Sequence, residues 1–192
     1  MLMDFMDIGY LRKGSKRQKK AYFVLEDLKI FNNLRPYKPV LTGSVPLDIA
    51  TDESDLDIAC EFPESDRFAE DLERYYSHIR DFEIKEKLMR GVKTNVCSFS
   101  YVTELVEIFG QDVRVEDQHS YRHMIVESRL LRIGGKKAVN EIKGLKEKGI
   151  KTEPAFAGYF GIKGDPYKKL YKLSLVTEKR LKKIAGSRAA DI

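Results

Sequence analysis

The stretch Leu41-Thr42-Gly43-Ser44, followed after ten residues by Asp55-Leu56-Asp57-Ile58-Ala59, decides the fold of this chain. Residues 39–42 predict a short strand, and the Gly-Ser pair predicts the turn that leaves it. Between the two motifs, residues 45–50 predict a short helix that is followed by a polar loop. Residues 54–62 predict a second strand, so the segment indicates two strands separated by a short irregular connection.

Two carboxylates of the second strand are expected to lie together. Side chains two residues apart in a strand point to the same face, about 7 Å from each other. Asp55 and Asp57 therefore point one way, whereas Leu56, Ile58 and Cys60 face the other way. Two like charges held together raise each other's pKa unless a cation lies between them. The spacing predicts a bound metal ion.

A third acidic residue lies in a later apolar strand. Residues 105–109 predict a strand that carries one charge, Glu107. Because burying a lone carboxylate is costly, Glu107 lies on an exposed edge, pairs with an arginine, or acts as a third metal ligand. The acid pair and the Gly-Ser turn favour the metal ligand. Glu104 is the alternative candidate for the third metal ligand. It points to the opposite face and lies at the start of the strand, where we expect it to be solvated.

Size and charge favour an ordinary folded protein. The chain has 192 residues and a formal net charge of +5, with both signs well mixed. This excess is small for a dedicated nucleic-acid binder and fits a nucleotide pocket equally well. Cys60 and Cys97 have no metal-ligand spacing, and we expect both to be buried, reduced thiols.

No membrane or secretion signal is expected. Residues 1–10 are apolar but are interrupted by Asp4 and Asp7, and no small-residue cleavage site follows. No apolar run approaches the length of a membrane span. The sequence predicts a soluble, cytoplasmic protein.

The remaining elements predict a mixed α/β half followed by a helical half. An α/β domain is expected over residues 1–115 and a C-terminal helical domain over residues 116–192. Predicted helices occupy residues 16–33, 65–79, 121–133 and 136–148, a short one opens at Thr152, and the last one opens at Asp165-Pro166 and extends past Lys179. A hairpin is predicted from residues 81–88 and 92–101.

The three acidic positions and the Gly-Ser turn together resemble a known superfamily. Gly43-Ser44, then Ser54-Asp55-Leu56-Asp57, then Glu107 in a later strand are similar to the polymerase-beta-type nucleotidyltransferases over roughly the first 110 residues. The phrases Glu107-Ile108-Phe109-Gly110-Gln111 and Tyr121-Arg122-His123-Met124 further resemble a small bacterial family of that fold with no assigned reaction. The resemblance implies an α+β fold, a nucleotidyltransferase-like mixed sheet flanked by helices and followed by a helical region.

The resemblance also implies an enzyme and its site. Gly43 and Ser44 would approach a phosphate, with Ser44 at a helix start. Asp55, Asp57 and Glu107 would be catalytic and would hold one or two Mg²⁺ ions. The reaction would move a nucleoside monophosphate from a nucleoside triphosphate such as ATP to a hydroxyl acceptor and release pyrophosphate. The acceptor is a small molecule, a protein side chain or an RNA end, and the sequence does not specify an oligomeric state.

One departure from the superfamily concerns the residues that bind the triphosphate. Small members often continue the Gly-Ser turn with Ala-Arg-Gly, whereas residues 45–48 here are Val-Pro-Leu-Asp, without a cation. Arg122 is a candidate for the missing cofactor-binding cation, and the alternatives are Arg90, Lys93 and Arg129.

Two other functions stay open at this level. Loss of the arginine is compatible with a non-catalytic, nucleotide-binding regulatory module, although the intact acid pair argues against it. The basic stretch from Arg12 to Lys20 and the last helix are compatible with an RNA-binding adaptor. His119, His123 and Glu127, one helical turn apart, indicate a hydrogen-bonded or solvated helix face more than a metal site, since zinc needs more ligands.

Overall fold

A five-stranded mixed sheet forms the centre of the first half of the chain. The structure is a computed structural model that describes residues 4–186. Its strands are β1 (Val40–Thr42), β2 (Leu56–Glu61), β3 (Glu83–Met89), β4 (Val92–Tyr101) and β5 (Glu104–Gln111). The predicted hairpin is present, with its turn at Arg90-Gly91, where both residues have positive φ.

The order of the strands places the two predicted acidic strands side by side. The sheet order is β1-β2-β5-β4-β3, with β2 and β5 parallel and every other pair antiparallel. Asp57 is paired in register with Glu107 on β5 and with Thr42 on β1. Neighbouring strands lie about 4.8 Å apart, so this register brings the two carboxyl-bearing residues next to each other.

Helices cover both faces of the sheet. The first half contributes α1 (Lys16–Asp27), α2 (Ile30–Asn33) and α3 (Ser65–Tyr76), and the second contributes α4 (His119–Glu147), α5 (Thr152–Phe160), α6 (Pro166–Ser174) and α7 (Glu178–Gly186). The sheet with flanking helices and C-terminal helices confirms the predicted fold class. The division at residues 115 and 116 stays a prediction.

Alternation along β2 builds two separate hydrophobic cores. Leu56, Ile58 and Cys60 pack in the core that includes the side chains of α1 and α3. Ala59 faces the opposite side and packs in a second core formed with α4, α5, α6 and α7. Asp57 shares the face of Ala59 because side chains alternate along a strand. The acidic face of the sheet is therefore the face covered by the C-terminal helices.

The two helices predicted on either side of Gly134-Gly135 are present as the two parts of α4, because Gly135 interrupts it with a non-helical backbone (φ 63°, ψ −161°). Two other helical boundaries differ from those predicted. The helix predicted over residues 16–33 breaks at Lys29, which has a φ of 52°. The last helix does begin at Pro166 with Asp165 as its N-cap, but α7 is a separate helix after it.

The segment after the Gly-Ser turn is irregular instead of helical. Residues 45–48 form turns, and Asp48 has a φ of 56°, which a helix does not allow. The left-handed conformation of Asp48 prevents a regular helical turn here. Ser44 therefore does not lie at a helix start, which corrects the expectation drawn from the resemblance.

Two further findings concern the class of the protein. Cys60 and Cys97 are both free and buried, as predicted. Among residues 4–186, no helix combines the length and apolar character needed to cross a bilayer. A cytoplasmic location stays a prediction.

Candidate functional site

A cleft of about 600 Å³ lies between the acidic face of the sheet and the C-terminal helices. The sheet contributes the Gly43-Ser44 turn, Asp55 and Asp57. The helical half contributes side chains from α4, from the α4–α5 loop and from the start of α5. The predicted turn and the predicted acid pair therefore share one cavity, whereas Glu107 lines an adjacent cavity.

Gly43 lies directly against the carboxylate of Asp57. Its φ is +75°, a conformation that favours glycine, and a Cβ built there would lie 2.5 Å from Asp57 Oδ2. The absence of a side chain thus allows the turn to approach the carboxylate closely. The turn that follows β1 therefore packs against the carboxylate of Asp57 on β2.

A substitution at Gly43 tests this contact. Gly43→Ala should lower the free energy of unfolding by the cost of a left-handed alanine, about 1–2 kcal/mol, plus about 1–3 kcal/mol for the overlap with Asp57. Gly91→Ala is the matched control, because Gly91 has a φ of +84° and an added Cβ would meet nothing within 4 Å. Equal losses in urea unfolding for the two variants would show that Gly43 does not touch Asp57.

Burial raises the pKa of all three acids, and neighbouring charges modify each shift. Loss of solvation raises the pKa of Asp57 to about 7, and the charges of Glu107 and Asp55 add to the shift. Loss of solvation, followed by the charge of Asp55, also raises the pKa of Glu107. The pKa of Asp55 is raised mainly by desolvation, against the opposing effect of Arg17. A cation among these groups would relieve both effects.

The chemistry of the three acids fits a hard metal ion, but their side chains are not grouped around a common point. All three offer carboxylate oxygens, the ligands that Mg²⁺ prefers, and two are paired in register. Within residues 4–186, however, no three His, Cys, Asp or Glu side chains form a group ready to hold a metal ion. Their mutual repulsion favours separation, so coordination requires the carboxylates to rotate towards a common point.

The arginines and lysine proposed for the phosphate grip lie outside the acidic cleft. Arg122 pairs with Asp117. Arg129 is buried and donates to the carbonyls of Ser174, the last residue of α6, and of Val176, and to a carboxylate of α7. Lys93 pairs with Glu86, and Arg90 lines the adjacent cavity instead. The role of Arg122 as a nucleotide-binding residue stays a prediction that these contacts do not favour.

Lys146 is a cation of the cleft that the sequence pattern did not indicate. It lines the cleft, and its Nζ donates a 2.8 Å hydrogen bond to Thr152 Oγ1 at the start of α5. Burial lowers the pKa of Lys146, while neighbouring carboxylates, including Asp57, act in the opposite direction. Only the packing of α4 against the sheet brings it there, so no local sequence signal marks it among the many lysines of the helical half.

Two carboxyls and a histidine complete the inner wall of the cleft. Glu127 is 2% exposed, its Oε1 has no partner among the described residues, and burial raises its pKa well above the ordinary value. His123 lies within hydrogen-bonding distance of Glu153 Oε1 (3.1 Å) and of the Tyr167 carbonyl (3.0 Å). The prediction of a hydrogen-bonded helix face therefore holds for His123, which is buried instead of solvated.

Glu104 has a structural role that the sequence did not reveal. It was expected to be solvated, but it is 4% exposed. Its two oxygens each lie 2.6 Å from a cation, Arg17 Nη2 and Lys20 Nζ. Arg17 Nη2 also donates to the Ser54 carbonyl, one residue before Asp55. The pair therefore attaches α1 to the loop that carries the acid.

The fold is shared with solved nucleotidyltransferase structures at low sequence identity. A Cid1 poly(U) polymerase structure with MgGTP bound matches with a TM-score of 0.54 and 13% identity, over 85% of this chain and 53% of that chain. A structure of the GLD-2/RNP-8 complex matches with a TM-score of 0.51 and 12% identity, over 90% and 78% of the two chains. This chain thus spans about half the length of the Cid1 chain, and the likeness is one of fold.

Sequence comparison gives a family without an assigned activity. A family model described as "Domain of unknown function (DUF4269)" matches residues 23–173, which include the Gly-Ser turn and all three acids. No curated protein matches the chain. The further resemblance to a small bacterial family of this fold stays a prediction.

Proposed function

We propose, from the premise that this chain belongs to the family described as "Domain of unknown function (DUF4269)", that it is an Mg²⁺-dependent nucleotidyltransferase. It would move a nucleoside monophosphate from a nucleoside triphosphate to a hydroxyl acceptor. The observation that carries the proposal is the row Thr42, Asp57 and Glu107 on three adjacent strands, with Asp55 and the Gly-Ser turn beside it. The nucleotidyltransferase fold supports this function.

Asp55, Asp57 and Glu107 would hold the Mg²⁺ ions. Oxygen-only ligands and a raised pKa at all three positions support a site that gains stability from a divalent cation. Bound Mg²⁺ would neutralise the triphosphate and the charge that develops on the entering and leaving oxygens. The chain's own contribution is to hold Asp57 and Glu107 side by side in the sheet, with Asp55 next to Asp57 in the cleft.

The opposite wall of the cleft would bind the polyphosphate. Lys146 provides a positive charge there, and Thr152 opens α5, whose N-terminus receives no hydrogen bond from an N-cap side chain. The backbone of Gly43-Ser44 faces the same cavity. In this proposal Lys146 replaces the arginine that the segment after the turn lacks.

The reaction follows from this placement. The acceptor oxygen forms a bond to the α-phosphorus, the bond from that phosphorus to the bridging oxygen breaks, and pyrophosphate leaves with the electron pair. The proton of the acceptor hydroxyl is released beside Glu107. Most of the rate would come from positioning and charge neutralisation.

Pyrophosphate release tests the proposed function. Wild-type protein supplied with each of the four nucleoside triphosphates, Mg²⁺ and an acceptor mixture should release pyrophosphate, and Asp55→Asn and Asp57→Asn should each lose roughly a thousandfold, about 4 kcal/mol. Release that survives in both variants would overturn the catalytic assignment. Mg²⁺-dependent nucleotide binding without any release would instead favour the regulatory module, and salt-sensitive RNA binding alone would favour the adaptor.

Lys146 is predicted to act on nucleotide binding. Lys146→Met should raise the KM for the nucleoside triphosphate roughly ten- to a hundredfold, since a charged hydrogen bond contributes about 1.5–3 kcal/mol. Lys148→Met, on an exposed lysine at the end of the same helix, is the matched control and should leave the KM unchanged. Steady-state kinetics measures both values, and equal KM values for the two variants would exclude Lys146 from the phosphate site.

A further inference from the structure

A second cavity, of about 280 Å³, adjoins the acidic cleft. The β3–β4 hairpin, β5 and the start of α4 form its walls. It shares Phe109 and Ser120 with the acidic cleft, so the two cavities are neighbours. Of the three acids, Glu107 alone lines it, whereas Asp55 and Asp57 line the larger cavity.

We propose that this second cavity binds the acceptor, a small hydroxylated molecule with an apolar ring and an anionic group. This inference rests on the proposed nucleotidyl transfer. In-line displacement requires the acceptor oxygen to enter opposite the departing pyrophosphate. Of these two cavities, Lys146 and Thr152 line the larger and not the smaller, so the leaving group lies on that side of the acids and the acceptor enters on the side of Glu107.

The walls of the cavity fit a single ring. Met89, Val92, Val96 and Phe109 give it a mainly apolar lining. Its volume lies just below the usual range of ligand pockets, about 300–1,000 Å³. A ring with short substituents fits this space, and a nucleotide joined to further nucleotides does not.

The polar groups of the cavity favour an anionic substituent. Lys87 and Arg90 stand on the hairpin, exposed, and neither forms an ion pair within residues 4–186. At the opposite wall, three polar atoms are buried without a hydrogen-bond partner in the described part of the chain: Gln118 Oε1, His119 Nδ1 and Ser120 Oγ. Gln118 is itself only 2% exposed and lines the cavity. Exposed cations on one wall and unsatisfied polar atoms on the other are the features of a pocket that binds an anionic group.

A binding measurement tests this pocket without nucleotide. Saturation-transfer NMR with para-(hydroxymethyl)benzoate should show binding to wild-type protein and, about tenfold weaker, binding of uncharged para-methylbenzyl alcohol. Met89→Trp, which fills the cavity from the hairpin, should abolish the signal. Leu88→Trp is the matched control, because Leu88 is the neighbouring residue, is 76% exposed and does not line the cavity.

The outcomes separate this inference from the proposed function. Absence of probe binding, or binding that Met89→Trp leaves unchanged, would overturn the acceptor pocket. A transfer assay with α-labelled ATP and Mg²⁺ then compares the probe with a short RNA, and labelling of the RNA alone would also overturn it while supporting nucleotidyl transfer. Probe binding lost in Met89→Trp, with no pyrophosphate release from any nucleotide, would support the pocket's ligand class and overturn the proposed function.

Discussion

Asp57→Asn should make the metal-free protein more stable at about pH 8 while it removes the proposed nucleotidyl transfer. Desolvation in the cleft, assisted by Glu107 and Asp55, raises the pKa of Asp57 to about 7. Between roughly pH 4 and pH 7 the folded state holds a proton that the unfolded chain has released. The stabilisation from this protonated carboxyl is therefore lost as the pH rises through that window, and asparagine does not titrate.

The expected effect is large for one side chain. A pKa moved from 3.8 to about 7 corresponds to at most about 4 kcal/mol, at about 1.4 kcal/mol per pKa unit. For a chain of this size that is roughly 10 °C in Tm. Urea unfolding in the presence of a chelator measures the free energy of unfolding. The amount by which the variant exceeds the wild type should grow from about pH 4 to about pH 8. Added Mg²⁺ should then stabilise the wild type only.

Asp52→Asn provides the control for this measurement. Asp52 is an exposed residue of the loop before β2, so its substitution should give a small difference that does not grow with pH. A variant at Asp57 that is less stable than wild type over the whole pH range would contradict the prediction, because the carboxylate would then be a net stabilising group with satisfied contacts.

Arg17→Met is the second substitution with a large expected effect. Glu104 is almost completely buried, and Arg17 approaches it to 2.6 Å with a side chain that is only 13% exposed. Removing one partner of a buried pair leaves a charge without compensation and costs about 3–5 kcal/mol. Because Lys20 still contacts Glu104, we expect the lower end of this range. The free energy of unfolding in urea measures the loss.

Two further variants isolate the cause of this loss. Lys20→Met removes the more exposed partner, 47% exposed, and should cost less than about 1 kcal/mol. Combining Arg17→Met with Glu104→Leu replaces the pair by apolar side chains and should recover most of the stability. If the double variant is as unstable as Arg17→Met alone, the loss comes from the released Ser54 carbonyl and not from the buried charge.

The fold was predictable because its signals are local. Alternation around Asp57 identified both β2 and the face that carries the acid, and the single charge of Glu107 marked β5 as a strand with a special position. Parallel pairing of the two strands then places Asp57 and Glu107 next to each other. The prediction of a short helix over residues 45–50 is wrong. The left-handed conformation of Asp48 breaks it, and a pattern of apolar residues does not indicate that conformation.

The opposite wall of the site was not predictable in this way. Lys146 reaches the cleft only because α4 crosses the acidic face of the sheet, and Thr152 follows it after a short loop. The sequence offered four candidates for the phosphate-binding cation, and Lys146 was not one of them. Glu104 illustrates the same limit, since its partner Arg17 belongs to α1 and local strand geometry suggests solvent instead. Contacts between distant segments depend on packing, which a single sequence does not encode in a short pattern.

The most direct test of the central claim is to locate a divalent cation. Crystals grown with Mn²⁺ and a non-hydrolysable nucleoside triphosphate analogue would report the metal by its anomalous scattering. We predict a peak coordinated by carboxylate oxygens of Asp55 and Asp57, with Glu107 beside it and the polyphosphate extending towards Lys146. A peak elsewhere on the protein, or bound analogue with no metal at these three residues, would contradict the proposal.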